Sequence, residues 1–392
     1  MTTFETPRNG VHDASEFAAA TNGAVTGAEF ARRVIEPCDF IADTEAFVDV
    51  RIERSKGKAS YSFIGPGVSQ NADQKINLTV PHGFNVGAAS MPHGVVNNPH
   101  LHYTAEVFIC TNGEFRFDIG RNSEQSLDLG VGDVFAAPTW VFRGFTNTGP
   151  DDGWLFVVLG NDETGGIIWA PQILEEAAET GMFLGRDDSV IEANGHGRPA
   201  DIIEPLAADQ LAEVDVYTDD ELAAHLVGRD DLQWSARALL SSVVDGLGGE
   251  LAPVVGHGMT QDRSHRPPIT TPHGFSVEWL RVAPGERTGV HRHDDSQVLF
   301  LVEGDWEIRC NDDDVQSAAP ADGSIVSVPA GAWRDFVNTG DTDASAVVVN
   351  GSDAPTRIEW HPDITAAAAE QGWALDAAGC TAPVALLGRG HR

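Results

Sequence analysis

Short segments in which apolar residues alternate with polar ones, or run together between Gly, Asn and Asp turns, recur along the whole chain. In the first half these are Gly83–Ala89, Leu101–Thr111, Glu114–Gly120, Val134–Ala137 and Trp154–Leu159; in the second, Phe275–Val282, Val290–Val302, Trp306–Asn311, Ile325–Pro329 and Ala346–Asn350. Such runs predict strands, and the chain is expected to be all-β. Three stretches carry a helical pattern instead. Pro171–Thr180 and Pro362–Gln371 place a proline at the helix start, and Thr218–Val227 is a third candidate. The Gly- and Pro-bearing segment around Asp187–Ala200 divides the halves. The expected organisation is an N-terminal arm (1–30), a first domain (31–186), a linker (187–205) and a second domain (206–392).

The two halves are copies. Pro81-His82-Gly83-Phe84 returns as Pro272-His273-Gly274-Phe275, and Gly132-x5-Pro138-x4-Arg143-x3-Asn147-Thr148-Gly149 returns as Gly323-x5-Pro329-x4-Arg334-x3-Asn338-Thr339-Gly340, each displaced by 191 residues. No insertion is needed between Pro81 and Gly181, and chance does not yield such a match. Duplicated His82 and His273 stand where a strand starts, which suits hydrogen bonding more than catalysis.

Composition narrows the function classes. With 42% hydrophobic residues among 392, the chain has enough apolar matter for two cores. Its formal charge of −34 argues against nucleic acid or an anionic membrane as partner. The N-terminal residues lack the basic start and apolar core of a secretory signal, and no stretch is apolar enough to span a bilayer. Cys38, Cys110, Cys310 and Cys380 do not correspond under the repeat, so no disulfide framework is expected and the cytoplasm is the expected location.

The candidate chemistry lies in a histidine pattern written twice. Gly94-x5-His100-x-His102-x3-Glu106-x6-Gly113 corresponds to Gly285-x5-His291-x-His293-x3-Gln297-x6-Gly304. On a strand, residues two and four apart share a face, so each set converges on one point where a cation could sit. The first set ends in a carboxylate and the second in an amide.

These two blocks resemble the paired sequence motifs of the cupin superfamily, G-x5-H-x-H-x3-E-x6-G and G-x5-P-x-G-x2-H-x3-N. The resemblance implies a bicupin: two tandem double-stranded β-helix (jelly-roll) barrels with a few flanking helices, commonly assembled as a homo-oligomer. Gly132-Asp133-Val134-Phe135-Ala136-Ala137-Pro138-Thr139-Trp140 and His291-Arg292-His293 are similar to the gentisate and hydroxynaphthoate dioxygenase type within it. That resemblance implies a non-haem iron(II) dioxygenase acting on a small anionic, carboxylated or phenolic aromatic compound. A manganese- or nickel-dependent lyase, decarboxylase or isomerase is the alternative enzyme, and a metal-free small-molecule-binding bicupin the alternative outside enzymes.

One departure keeps these alternatives open. The superfamily's final metal ligand is a histidine, and both halves have arginine there, Arg143 and Arg334. Arginine cannot ligate a cation. Either His100, His102 and Glu106 hold iron(II) while Arg143 clamps a substrate anion, or Arg143 pairs with Glu106 and excludes the ion. Charge attraction of roughly 4 kcal/mol at contact favours the pair. In the second set His291, His293 and Gln297 offer a metal no charge, and Arg334 is again placed to bind an anion.

Overall fold

A computed structural model describes residues 23–387. It divides into two units, one built from residues 41–231 and the other from residues 23–40 with 232–387. Each is a two-sheet barrel whose paired strands are antiparallel, except for the parallel pair Ala59–Ile64 with Ile76–Leu78 in the first.

In the first unit, one sheet runs in the order Leu226–Val227, Val134–Ala137, Glu106–Asn112, Gly153–Gly160, Phe84–Met91, Ala59–Ile64, Ile76–Leu78. The facing sheet runs Ile167–Trp169, Val96–His102, Arg143–Asn147, Phe115–Ile119, Gln125–Leu129. Apolar residues of both sheets meet inside, among them Phe108, Phe117, Phe135 and Phe145, whose rings pack edge-on or stacked at 4.9–6.5 Å. The second unit repeats the plan. Its six-stranded sheet contains Gln297–Glu303 between Ile325–Val328 and Ala344–Asn350, and its five-stranded sheet contains Arg334–Asn338 beside His291–Arg292.

Two predicted strands are each broken in two. Leu101–Thr111 is Val96–His102 and Glu106–Asn112, and Val290–Val302 is His291–Arg292 and Gln297–Glu303. The turn between them carries the chain from one sheet to the other, so His102 and Glu106 meet across the barrel and not along one strand face. The Thr218–Val227 helix is also shorter, Asp219–Ala223, and its end becomes the strand Leu226–Val227. Both proline-started helices form, as Pro171–Glu179 and Pro362–Glu370.

The domain boundaries differ from the expected ones. Residues 187–205 are no free linker: Val190–Glu192 pairs with Met182–Leu184, Gly185 bridges Ile202, and Val190, Ile203 and Leu206 pack on the Trp169 core. Residues 31–40 belong to the second unit, where Val34 and Ile35 pair with Val326 and Ile325. Leu226 and Val227 close the matching edge of the first unit against Phe135 and Val134. The segments 27–35 and 219–227 are thus themselves a repeat, displaced by 192 residues instead of 191. The remainder of the expected arm, residues 1–22, lies outside the described residues.

Candidate functional site

Strand register assembles the first-barrel cluster. His100 lies opposite Arg143 on one side and Trp169 on the other, and Leu159 lies opposite Glu106 in the facing sheet. One ligand atom from each of His100, His102 and Glu106 falls within 4.8 Å of the others. All three are buried, together with Arg143.

The proton positions follow from the partners. His100 Nδ1 lies 2.7 Å from the Asn98 carbonyl, which only accepts, so the proton sits on Nδ1 and Nε2 keeps its lone pair. His102 has neither ring nitrogen bonded, although both are buried. Burial, with Arg143 next in weight, holds both histidines well below their ordinary value, and both are neutral. Burial pushes the Glu106 carboxyl up, and Arg143 opposes that shift. Arg143 donates from Nε and Nη2 to the same oxygen, Glu106 Oε2, at 3.2 and 2.6 Å. Of the two alternatives for Arg143, the arginine–glutamate pair is present, and it engages one carboxylate oxygen of two.

Beside the cluster is a cavity with about 80 Å³ open to the centres of water-sized molecules. His100, His102 and Glu106 share its wall with Phe47, Phe108, Phe145, Trp169 and Lys58; Arg143 is not on that wall. Lys58 escaped the sequence reading. It is buried, donates to both oxygens of Asp49 at 2.6 and 2.7 Å and to Asn97 at 2.8 Å, and lies over the rings of Phe47 and Trp169. Lysine is scarce here, at positions 56, 58 and 75 only. That scarcity was the available signal.

In the second barrel a guanidinium lies between two of the three expected ligands, while His291 Nε2 is buried without a hydrogen-bond partner. Arg334 donates from Nη1 to both His293 Nε2 (3.0 Å) and Gln297 Oε1 (3.1 Å), so the guanidinium uses the lone pairs a metal would need. Its Nε bonds Ala332 O, and its Nη2 bonds Pro329 O and Ala332 O. All five N–H groups are engaged within the barrel, and four of the five bonds go to backbone carbonyls or to Gln297. His291 donates from Nδ1 to Gly289 O, and burial takes it to about 3.

Side chains also differ where the first barrel has its cavity. Val68, Gly87, Glu106 and Leu159 correspond to Met259, Glu278, Gln297 and Asn350. Gln297 donates to Asn350 Oδ1 and Met259 Sδ, and Asn350 donates to Glu278 Oε1. A Cβ at Gly87 would come 2.5 Å from the Tyr61 carbonyl, so the glycine keeps this wall of the first cavity tight.

Other candidates resolve simply. His82 and His273 bond the carbonyls of Val80 and Thr271 while their backbone N–H groups bond Asp162 and Asp353, the structural role expected. His93 is bonded to Gly149 O. Trp140 is exposed against Tyr103, Trp333 packs on Arg292 and His361, and Phe336 packs on His291; of the four aromatics flanking the arginines, Phe145 reaches the cavity. All four cysteines are unpaired, and burial drives the Cys110 thiol up to about 12. No helix among the described residues is long and apolar enough to cross a membrane.

Comparison with known proteins agrees with this architecture. The cupin domain family model matches twice, over residues 88–159 and 278–350. No curated protein sequence matches the chain. Among solved structures, a Lactobacillus farciminis oxalate decarboxylase in complex with formate is similar at a TM-score of 0.52 and 14% identity, over 85% of this chain and 89% of that one. A Bacillus subtilis oxalate decarboxylase determined at pH 4.6 is similar at 0.51 and 14%, over 84% and 78%. At such identity the likeness carries the fold alone. Two cupin domain matches 190 residues apart at their starts, one on each barrel, show that the chain carries two cupin domains, a bicupin of the cupin superfamily.

Proposed function

We propose that the first barrel binds a divalent metal through His100, His102 and Glu106 and acts as a lyase, removing carbon dioxide from a small carboxylated compound held in the adjoining cavity. The observation that carries this reading is His102. Two buried ring nitrogens without a partner cost on the order of 1–3 kcal/mol each, and a cation bound by one of them offsets part of that cost. The ligand set is a fit to a metal, with two neutral imidazoles and a carboxylate of which Arg143 bonds one oxygen of the two.

A bound divalent ion supplies a Lewis acid that takes up negative charge as the carboxylate leaves. The chain's own residues do the rest. Asn98 fixes the His100 ring through Nδ1, as a ligating histidine requires. Arg143 fixes Glu106 and offsets its charge. The apolar wall of Phe47, Phe108, Phe145 and Trp169 excludes water and strengthens every charge interaction inside.

The sequence pointed first to an iron(II) dioxygenase. Similarity to solved oxalate decarboxylases supports the lyase alternative instead, with manganese(II) as the leading metal and iron(II) or nickel(II) as substitutes. A specific observation favours a metal-free binding protein: the Arg143–Glu106 pair already neutralises the carboxylate. Elemental analysis of protein prepared without chelator separates these readings. About one equivalent of manganese or iron per chain, with carbon dioxide release from a panel of aromatic carboxylic acids and no oxygen uptake, is the expected result. Oxygen uptake matching substrate loss restores the dioxygenase. Failure of any metal to bind or stabilise the protein leaves the binding protein.

A further inference from the structure

We propose that Lys58 is the specificity-determining residue of the first barrel, binding the acidic group of a ring-bearing monocarboxylate in the cavity. This rests on the reading that the cavity is the substrate site; it does not depend on the metal. Arg143, the cation the sequence pointed to, is not on the cavity wall and is occupied by Glu106. Lys58 is the one lysine or arginine on that wall among the described residues.

Three further observations define what it would bind. Lys58 belongs to the cavity and not to the barrel as such. Matching hydrogen bonds place Asp49 and Phe47 opposite Ser241 and Leu239 in the repeat, while Lys58 and Asn97 correspond to Gly249 and Thr288, and the second barrel folds without the pair. Even a paired buried lysine is often no more stabilising than packed apolar side chains, so retaining one where the other barrel does without it points to a ligand.

The ammonium is also held in a way that leaves it exchangeable. Two of its bonds go to Asp49, behind the wall, and the third goes to the neutral amide oxygen of Asn97, which is on the wall. A ligand carboxylate replacing that amide makes a charge-assisted bond, about twice as strong as a neutral one.

The surroundings select a ring. The rings of Phe47 and Trp169 lie 5.1 and 5.8 Å from the ammonium, Trp169 is 5.4 Å from His100, and Phe108 and Phe145 complete the wall. A planar ring stacked here would extend from Lys58 toward the histidines.

The test uses the full chain, stripped of metal and also loaded with manganese, with benzoate, phenylacetate and cyclohexanecarboxylate as probes and their primary amides as neutral matches. In metal-free protein, at least one acid is expected to bind ten-fold or more tightly than its amide by calorimetry. The double variant Lys58→Met with Asp49→Asn, which leaves neither charge buried alone, is expected to bind acid and amide equally. A readout without mutation is also at hand. With lysine labelled at its ε-carbon, the one buried lysine resonance of three is expected to shift with the acid and not with the amide, while those of exposed Lys56 and Lys75 stay still. Equal binding of acids and amides by the wild type, binding of neither, or a preference that survives the double variant overturns the proposal. A retained acid preference in a protein that takes up no metal defeats the metal centre and leaves this inference standing.

Discussion

Arg143 and Glu106 meet through two hydrogen bonds that end on one carboxylate oxygen, Oε2, the same oxygen that lies 3.6 Å from His102 Nε2, while Oε1 receives no bond from the arginine. The pair therefore restrains the carboxylate without closing it to a cation. Replacing Arg143 by histidine restores the ligand usual in the superfamily and removes a positive charge. Manganese affinity measured by titration is expected to rise at least ten-fold. In metal-free protein the same change leaves Glu106 buried and unpaired, with a loss of roughly 3–5 kcal/mol in chemical denaturation that added metal reverses.

The two histidine sets are expected to respond differently to metal. Manganese or iron should raise the melting temperature of the wild type and of His291→Ala, and should do so no longer in His100→Ala or His102→Ala. Equal responses of the two barrels would mean that Arg334 yields its place between His293 and Gln297.

Arg334 itself is expected to act on stability. Arg334→Met removes five hydrogen bonds from a buried site and leaves the Pro329 and Ala332 carbonyls without those donors. A loss of roughly 3–5 kcal/mol in denaturation is expected, with ligand binding in the first barrel unchanged.

Glu278 gives the second barrel a pH dependence. Burial raises its carboxyl to about 8, so the folded chain holds a proton near pH 7 that the unfolded chain releases. Its stabilising contribution is complete below the ordinary carboxylate range and is lost as pH rises from there toward 8. Near neutrality the loss approaches about 1.4 kcal/mol per pH unit. Denaturation of Glu278→Gln between pH 5 and 8 should remove this slope. An unchanged slope would show that Glu278 is already ionised.

Unit boundaries can be tested by excision. A chain of residues 41–231 keeps every element of the first barrel and is expected to unfold cooperatively. A chain ending within 187–205 lacks Leu226–Val227, leaves the Val134–Ala137 edge open and is expected to aggregate. Calorimetry and light scattering on the two fragments decide this.

The sequence made the two barrels legible because turns and apolar alternation repeat at a fixed spacing, and it made the histidines legible because His-x-His at matched spacing is rare. It misplaced the carboxylate by treating His102 and Glu106 as one strand, since apolar periodicity continues across the Tyr103–Ala105 turn and does not reveal the change of sheet. Arg143–Asn147 and Arg334–Asn338 went unseen as strands because each opens on a buried arginine, which hydropathy reads as surface. Lys58 was hidden for the same reason. Its partners, at Asp49 and Asn97, are 9 and 39 residues away, and no local pattern links them.

The short strands Val34–Ile35 and Leu226–Val227 bear on how the chain can be divided. Each precedes one barrel in the sequence and completes the edge of the other. A single repeat with its leading segment placed this way could not seal its own sheet, whereas two copies exchanging these segments could. Cutting the chain between the barrels, ahead of Leu226, therefore separates each barrel from the strand that closes its edge.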